Sequence, residues 1–160
     1  MIRVQVSAQG IDTPAWLPRL KRFAQTALVE LGIDGQEISI VLCDDEFIRA
    51  LNRDYRGKDY PTDVLSFAQR EDEEALDGRT AAGGRSRSRV EVAGDVVISL
   101  PMVRANAKRF GVDEDEELKR LLIHGILHLQ GMDHKTNGEH EPMIELQERV
   151  LRVTRGEPIT

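Results

Sequence analysis

The chain opens with alternating apolar and polar residues. Ile2, Val4 and Val6 are separated by polar side chains, which is the period of a half-buried β-strand. Short apolar segments bounded by turn residues predict three further strands, at 37–43, 64–67 and 94–99.

Apolar residues that recur every three or four positions predict helices between these strands. The first helix is expected to begin at Pro14 and to stop before Gly32. Asp44 or Asp45 can cap the next helix, and Pro101 can begin another where its missing N–H costs little. Strands and helices interleave, so we expect an α/β (α+β) fold with a small mixed four-stranded sheet flanked by about five helices.

Two helical segments complete the C-terminal half. Asp113 and Glu116 form a D-x-x-E capping pattern before an apolar run that reaches Gln130, and Gly131 supplies the stop. Apolar residues cover most of the circumference of this helix, so it is expected to be buried on most sides. The last helix is predicted from Met143, Ile144, Leu146, Val150 and Leu151.

Length and composition fit one globular domain over residues 1–160. Of these residues 40% are apolar and 31% are charged, far from the composition of disordered chains. Residues 70–93 differ, because an acidic block, paired glycines and an Arg/Ser block follow one another there. We interpret this segment as a mobile insertion within the domain.

The net charge of −6 excludes proteins that coat nucleic acid through a bulk positive field, so any polyanion must be held by a local patch. No apolar run approaches the ~20 residues of a membrane span, and the N-terminus does not resemble a secretory signal. We therefore expect a cytoplasmic protein, with no membrane or DNA contact.

Three of the four histidines lie in the segment HGILHLQGMDH, residues 124–134. His124 and His128 are one helical turn apart, so their rings point the same way, and Gly131 allows the chain to bring His134 back toward them. Three neutral imidazoles with an open fourth position are the protein ligands of a catalytic zinc site. One zinc ion per chain is predicted, although imidazole sites also take nickel, copper or iron.

The same spacing matches the metzincin protease pattern H-E-x-x-H-x-x-G-x-x-H at every position but one. Gly125 stands where those proteases carry a glutamate that acts as the general base. The metal geometry is therefore kept, but peptide hydrolysis by the usual route is disfavoured.

Together with LNRDYRGKDYPTDVLSF at 51–67 and GDVVIS at 94–99, the histidine segment resembles the YbeY family of bacterial endoribonucleases. The resemblance implies a zinc ion held by His124, His128 and His134, and hydrolysis of single-stranded RNA. It also implies maturation of the 3′ end of small-subunit ribosomal RNA, ribosome quality control, and contact with components of the small ribosomal subunit. Arg56 coincides with the arginine that this family uses for activity.

A guanidinium suits the charge of a phosphodiester transition state because it binds two phosphate oxygens at once. Arg56 is the candidate for this role, with Lys58 nearby as a second substrate-binding residue. A second basic group is either an RNA-binding surface or a solvated helix face, and it consists of Arg104, Lys108, Arg109, Lys119 and Arg120.

The sequence thus predicts a zinc-dependent endoribonuclease that acts in ribosomal RNA processing. Two alternatives remain open: a zinc hydrolase related to metallopeptidases, and a non-catalytic ribosome-assembly factor with a structural metal. Structural zinc usually has four protein ligands, and Cys43 is poorly placed in the sequence to be a fourth.

Overall fold

The computed structural model describes residues 3–69, 91–134, 138 and 140–160. Within these ranges the chain forms four strands and five helices, as predicted. In chain order they are β1 Arg3–Gln9, α1 Leu17–Glu30, β2 Gln36–Cys43, α2 Asp45–Arg56, β3 Val64–Ala68, β4 Glu91–Ser99, α3 Leu100–Phe110, α4 Glu114–Leu129 and α5 Pro142–Val153.

The four strands form one mixed sheet in the order β1-β2-β4-β3. β1 is parallel to β2 and β2 is parallel to β4, whereas β3 pairs antiparallel with β4 at the edge. Fully buried side chains project from the two inner strands into the core, among them Ile38, Ile40, Leu42, Val96 and Ile98. This arrangement confirms the predicted α/β class and the mixed four-stranded sheet.

The N-terminus of α1 differs from its prediction. The helix begins at Leu17, because Pro14 accepts the N–H of Leu17 in a turn that precedes the helix. Pro18 instead occupies the first helical turn, where a missing N–H is tolerated. A proline therefore marks this N-terminus as expected, but it is the second of the two prolines.

Helix α4 packs on β3 and β4 and is flanked by α3 and α5. Asp113 caps it as predicted, and its Oδ1 accepts the N–H of Glu116 at 2.7 Å. Ile123 and Leu127, which lie outside the main apolar stripe, are buried as well. The prediction of a helix buried on most sides is confirmed, so the histidines of α4 stand on a backbone held from several directions.

Residues 70–90 of the predicted insertion at 70–93 lie outside the described residues. Residues 91–93 already belong to β4, which pairs with β2 from Glu91 onward. The predicted insertion can therefore extend no further than the start of that strand. No helix in the described ranges has the length and apolar character that crossing a membrane requires.

Candidate metal centre

Three imidazoles meet where α4 ends. His124, His128 and His134 each present a ring nitrogen within 4.8 Å of those of the other two. Nε2 of His124 and Nε2 of His128 are 3.0 Å apart, and the ring centroids are separated by 4.7 to 5.6 Å. The structure thus brings together the three histidines that the sequence predicts, whereas His140 is exposed and outside this group.

A tight turn after α4 returns the chain toward the two helical histidines. Gly131 has φ +86°, a left-handed conformation that glycine adopts without strain. Its N–H donates to the carbonyl of His128 at 3.0 Å and closes the helix end. Asp133 then accepts the N–H of His134 at 2.8 Å, so this carboxylate shapes the turn that carries the third imidazole.

Burial keeps the helical histidines in the neutral form. It lowers the pKa of His124, and although the hydrogen bond to Gln147 opposes this, the pKa stays below its ordinary value. Burial also lowers the pKa of His128, and the neighbouring imidazoles of His124 and His134 lower it further. At neutral pH both rings therefore offer the lone pair that a metal ion requires.

Gln147 of α5 fixes the orientation of His124. The His124 Nδ1 lies 2.6 Å from Gln147 Oε1, while the Gln147 Nε2 donates to Glu148 at 3.2 Å. Arg120 holds that carboxylate with two hydrogen bonds, of 3.0 and 3.1 Å. Because a carboxylate only accepts hydrogen bonds, the amide must turn its oxygen to His124. Nδ1 therefore carries the proton, and the lone pair of Nε2 faces the other histidines.

The donor set fits a small divalent cation. Two nitrogens at about 2.0–2.1 Å from a tetrahedral zinc ion are about 3.3 Å apart, close to the 3.0 Å between His124 and His128. Three imidazole ligands also leave a coordination position for water or substrate, which distinguishes catalytic from structural zinc sites. The three-histidine group can thus hold a metal ion, and its ligands agree with zinc.

The local structure around Arg56 and Lys58 differs from that around the three histidines. Arg56 is the last residue of α2, and Lys58 follows the Gly57 cap in an exposed loop. Across the described part of the chain neither side chain forms a hydrogen bond or an ion pair. Nearby Arg49 is instead paired with Asp59, at 2.9 Å. Arg56 and Lys58 are therefore free to bind an anion, and their roles remain predictions.

The second predicted basic group lies only partly on the surface. The prediction was wrong for Lys119, which is buried. The Lys119 side chain is 3% exposed and pairs with Asp115 at 2.9 Å, with its Nζ 5.4 Å from the ring centroid of Phe23. Arg120 is turned inward to Glu148. Charge type alone could not reveal that Lys119 is buried and Arg120 half-buried. Lys108 and Arg109 are exposed, as a basic surface requires.

Comparison with known proteins agrees with this geometry. A family model described as Endoribonuclease YbeY matches residues 2–155. Endoribonuclease YbeY of Treponema pallidum (strain Nichols) is 48% identical over 149 residues, which are 93% of this chain and 88% of that protein. The chain belongs to the YbeY family. The Geobacillus kaustophilus Endoribonuclease YbeY is 43% identical over 147 residues, covering 92% of this chain and 88% of that protein.

A solved structure supports the fold of this YbeY chain. The solution structure of TM1509 from Thermotoga maritima is similar with a TM-score of 0.61 and 27% identity, over 96% of this chain and 90% of that one. The resemblance drawn from the three sequence motifs is confirmed. The assignment to endoribonucleases, enzymes that hydrolyse phosphodiester bonds of RNA, is confirmed with it.

Close packing of α4 against the sheet explains why residue 125 is a glycine. A Cβ built there would lie 2.6 Å from the Val96 Cγ1 and 3.2 Å from the Ser66 Oγ. Ser66 also donates to the Gly125 carbonyl at 3.0 Å, so α4 touches the sheet at this residue. A glutamate side chain at this position, the protease general base, has no room between α4 and the sheet.

Gln147 is the site residue that the sequence reasoning missed. It is 5% exposed on the buried face of α5, in register with Met143, Ile144, Val150 and Leu151. A polar residue on an otherwise apolar helical stripe was the available signal. Its partner on α4 could not be identified without knowing that α4 and α5 pack together.

Proposed function

We propose that this chain is a zinc-dependent endoribonuclease that cleaves single-stranded RNA at the three-histidine group. The main support for this proposal is that His124, His128 and His134 converge in a chain of the YbeY family. We assign all three as ligands of one zinc ion. A zinc ion bound there would supply Lewis-acid chemistry and lower the pKa of water at its open position to about 7.

Other residues of the chain orient a metal ligand and bind the substrate. Gln147 holds His124 with its proton on Nδ1, so that Nε2 stays available as a ligand atom. Arg56 binds the phosphate and offsets the charge that develops at phosphorus, because a guanidinium can contact two oxygens at once. Lys58 adds a second positive charge beside it. The free and exposed side chains of both residues support these roles.

The cellular role is proposed from the family resemblance. The RNA is ribosomal, the cleavage matures the 3′ end of the small-subunit RNA, and ribosome quality control uses the same activity. Components of the small ribosomal subunit are the proposed partners, and the location is cytoplasmic. Residues 1–160 form one domain, with an insertion that ends before β4.

Two observations count against the alternative functions. A metallopeptidase needs a general base, and the packing of Gly125 against Val96 excludes a glutamate from that position. A structural zinc site needs a fourth ligand, for which Cys43 is unsuited. Its thiol lies at the end of β2, donates to the Ile98 carbonyl at 3.5 Å, and is not part of the three-histidine group.

One purified sample tests the proposal. Zinc content by elemental analysis and cleavage of an unstructured RNA are measured before chelation, after chelation and after zinc is restored. We expect about one zinc per chain, loss of cleavage on chelation, and recovery with zinc. Cleavage that persists in metal-free protein would contradict a zinc-dependent reaction. Metal-dependent hydrolysis of casein by the same sample would instead favour a peptidase.

A further inference from the structure

A groove of about 1350 Å³ opens beside His124. Residues of α3, α4 and α5 line it, together with the segment that enters β3 at Pro61 to Val64. Of the three histidines, His124 lines this groove, which therefore borders the metal centre and is large enough for part of a polymeric substrate. The motif residues Arg56 and Lys58 are not among the residues that line this groove.

The acidic residues of the groove are largely paired within the protein. Arg120 holds Glu148 through two hydrogen bonds. The Asn106 amide donates to Glu117 at 3.2 Å and to Asp63 at 3.0 Å. Among the described lining residues, Glu145 is the one carboxylate without such a partner. Hydrogen bonds thus satisfy the inner carboxylates of the groove, and Arg120 offsets the charge of Glu148.

The exposed arginines of the groove are not paired. Arg109, Arg149 and Arg152 are exposed, and within the described ranges none of them forms an ion pair or a side-chain hydrogen bond. Three free guanidinium groups face one exposed carboxylate, that of Glu145. The four arginines and four carboxylates that line the groove balance in number, but three of the arginines and one of the carboxylates are exposed, so the accessible surface of the groove is locally positive.

An exposed aromatic ring lies beside one of these arginines and lines the same groove. Phe110 is the last residue of α3, which ends at the Gly111 cap, and it is 60% exposed. The guanidinium carbon of Arg109 lies 5.6 Å from its ring centroid. Aromatic rings flanked by cations are the platforms on which single-stranded nucleic acids stack their bases.

We propose that this groove is a nucleotide subsite for the RNA strand that reaches the three-histidine group. One base stacks on Phe110, and the phosphates on either side of it bind Arg109, Arg149 and Arg152. The assignment deepens the proposed function and rests on it. It adds a binding surface on α3 and α5 to Arg56 and Lys58 at the end of α2.

The test compares two triple variants and one single variant in the zinc-loaded full-length protein. Arg109, Arg149 and Arg152 are replaced by Gln in the first, and Phe110 by Ala in the single variant. The matched control replaces Arg19, Lys21 and Arg22 of α1 by Gln. These control residues are exposed and lie outside the groove, and their replacement removes the same charge. Zinc content and thermal unfolding check that each variant is intact.

Binding of a short labelled oligouridylate is followed by fluorescence anisotropy at several salt concentrations. The groove triple variant should lower the slope of log affinity against log salt by about two, since each single-strand phosphate contact contributes about 0.7. Phe110→Ala should bind about five-fold or more weakly. That difference should vanish with an abasic oligonucleotide of equal length, which keeps the phosphates but has no bases to stack.

Several results would overturn the subsite. These are a groove triple variant that binds like the wild type, a control triple variant that weakens binding equally, or a Phe110 effect that persists on the abasic strand. Displacement of RNA by polyglutamate at equal affinity would point to a surface for acidic proteins. If the wild type cleaves RNA while the groove variants bind normally, the subsite alone fails. If the wild type neither binds nor cleaves RNA, the proposed function fails with it.

Discussion

The three-histidine group and the end of α2 supply different parts of one proposed site, and the structure holds them very differently. His124 and His128 stand on a helix that is buried on most sides. Arg56 and Lys58 stand at an exposed helix end, with no partner among the described side chains. A metal ion requires donor atoms at fixed distances, whereas a phosphate can be contacted by a long and solvated cation.

Hydrogen-bonded support is distributed unevenly between these two regions. Hydrogen bonds of 2.6 to 3.2 Å connect His124 of α4 to Gln147 and Glu148 of α5, and Glu148 back to Arg120 of α4. No comparable chain of contacts reaches Arg56 within the described residues. Substitutions in the first region should therefore alter metal binding, and substitutions in the second should alter catalysis while the metal remains.

Removal of one histidine should have the largest effect. His128→Ala leaves two imidazoles, so we expect zinc to fall well below one equivalent and RNA cleavage to be lost. Elemental analysis and a cleavage assay measure both. His140→Ala is the matched control, because this exposed histidine lies outside the group. Full zinc occupancy in His128→Ala would contradict the ligand assignment.

Arg56→Ala should reduce kcat for RNA cleavage by about 10²–10³-fold, the usual cost of removing one group that stabilises transition-state charge. Zinc content and melting temperature should stay unchanged, because the side chain is exposed and unpaired. Arg53→Ala on the same helix is the control, since that guanidinium is already engaged by Asp54. Unchanged cleavage in Arg56→Ala would remove this residue from the mechanism.

Gln147→Leu should weaken zinc binding about 10–100-fold, because His124 loses the acceptor that fixes its proton on Nδ1. Competition with a chromophoric chelator measures the affinity. Gln147→Glu keeps an acceptor oxygen for His124 but replaces the amide donor to Glu148 by a second carboxylate, so it should restore the affinity only in part. In the metal-free protein, ¹⁵N NMR of the imidazoles should show His124 protonated on Nδ1. An unaltered tautomer in Gln147→Leu would mean that this hydrogen bond is not what positions the ring.

Gly125→Ala should lower the free energy of unfolding by about 1–3 kcal/mol, the typical cost of overpacking a core. Its Cβ would lie 2.6 Å from Val96, a stiff side chain buried on a central strand. Urea denaturation measures the change. Gly156→Ala is the control, because nothing lies within 4 Å of a Cβ there. Equal stability of the two variants would show that α4 can move away from the sheet.

Asp113→Ala should have the smallest effect, a loss of about 1 kcal/mol in the free energy of unfolding from the removed helix cap. Zinc affinity should not change, because the histidine end of α4 is held by packing rather than by its N-terminus. Asp113→Ser keeps a capping oxygen and should retain stability. Weaker zinc binding in Asp113→Ala, measured by chelator competition, would mean that the two ends of α4 are coupled.

Much of the framework follows from local patterns in the sequence. The alternation around Val4, the cap at Asp113 and the stop at Gly131 each depend on residues a few positions apart, and all three agree with the structure. Periodicity alone also indicated that α4 is buried on most sides. The three-histidine group was predictable for the same reason, because helix geometry and one glycine turn bring His134 back toward His124.

Features that depend on distant contacts were not predictable. Lys119 has the charge of a surface residue, yet it is buried because α4 packs toward Phe23 and carries Asp115 one turn earlier. The sequence pattern predicted that α1 begins at Pro14. The helix begins at Leu17 instead, because the residues from Pro14 to Leu17 form a turn that precedes it.

The sequence by itself determined the donor atoms, their spacing and the strand and helix order, since these depend on covalent neighbours and on the period of each element. Tertiary structure decided that Gln147 meets His124, that Gly125 touches Val96, and that Arg109 and Arg149 line one groove. These pairs are brought together only when helices and sheet pack. Packing depends on the shapes of whole surfaces, which no local pattern specifies.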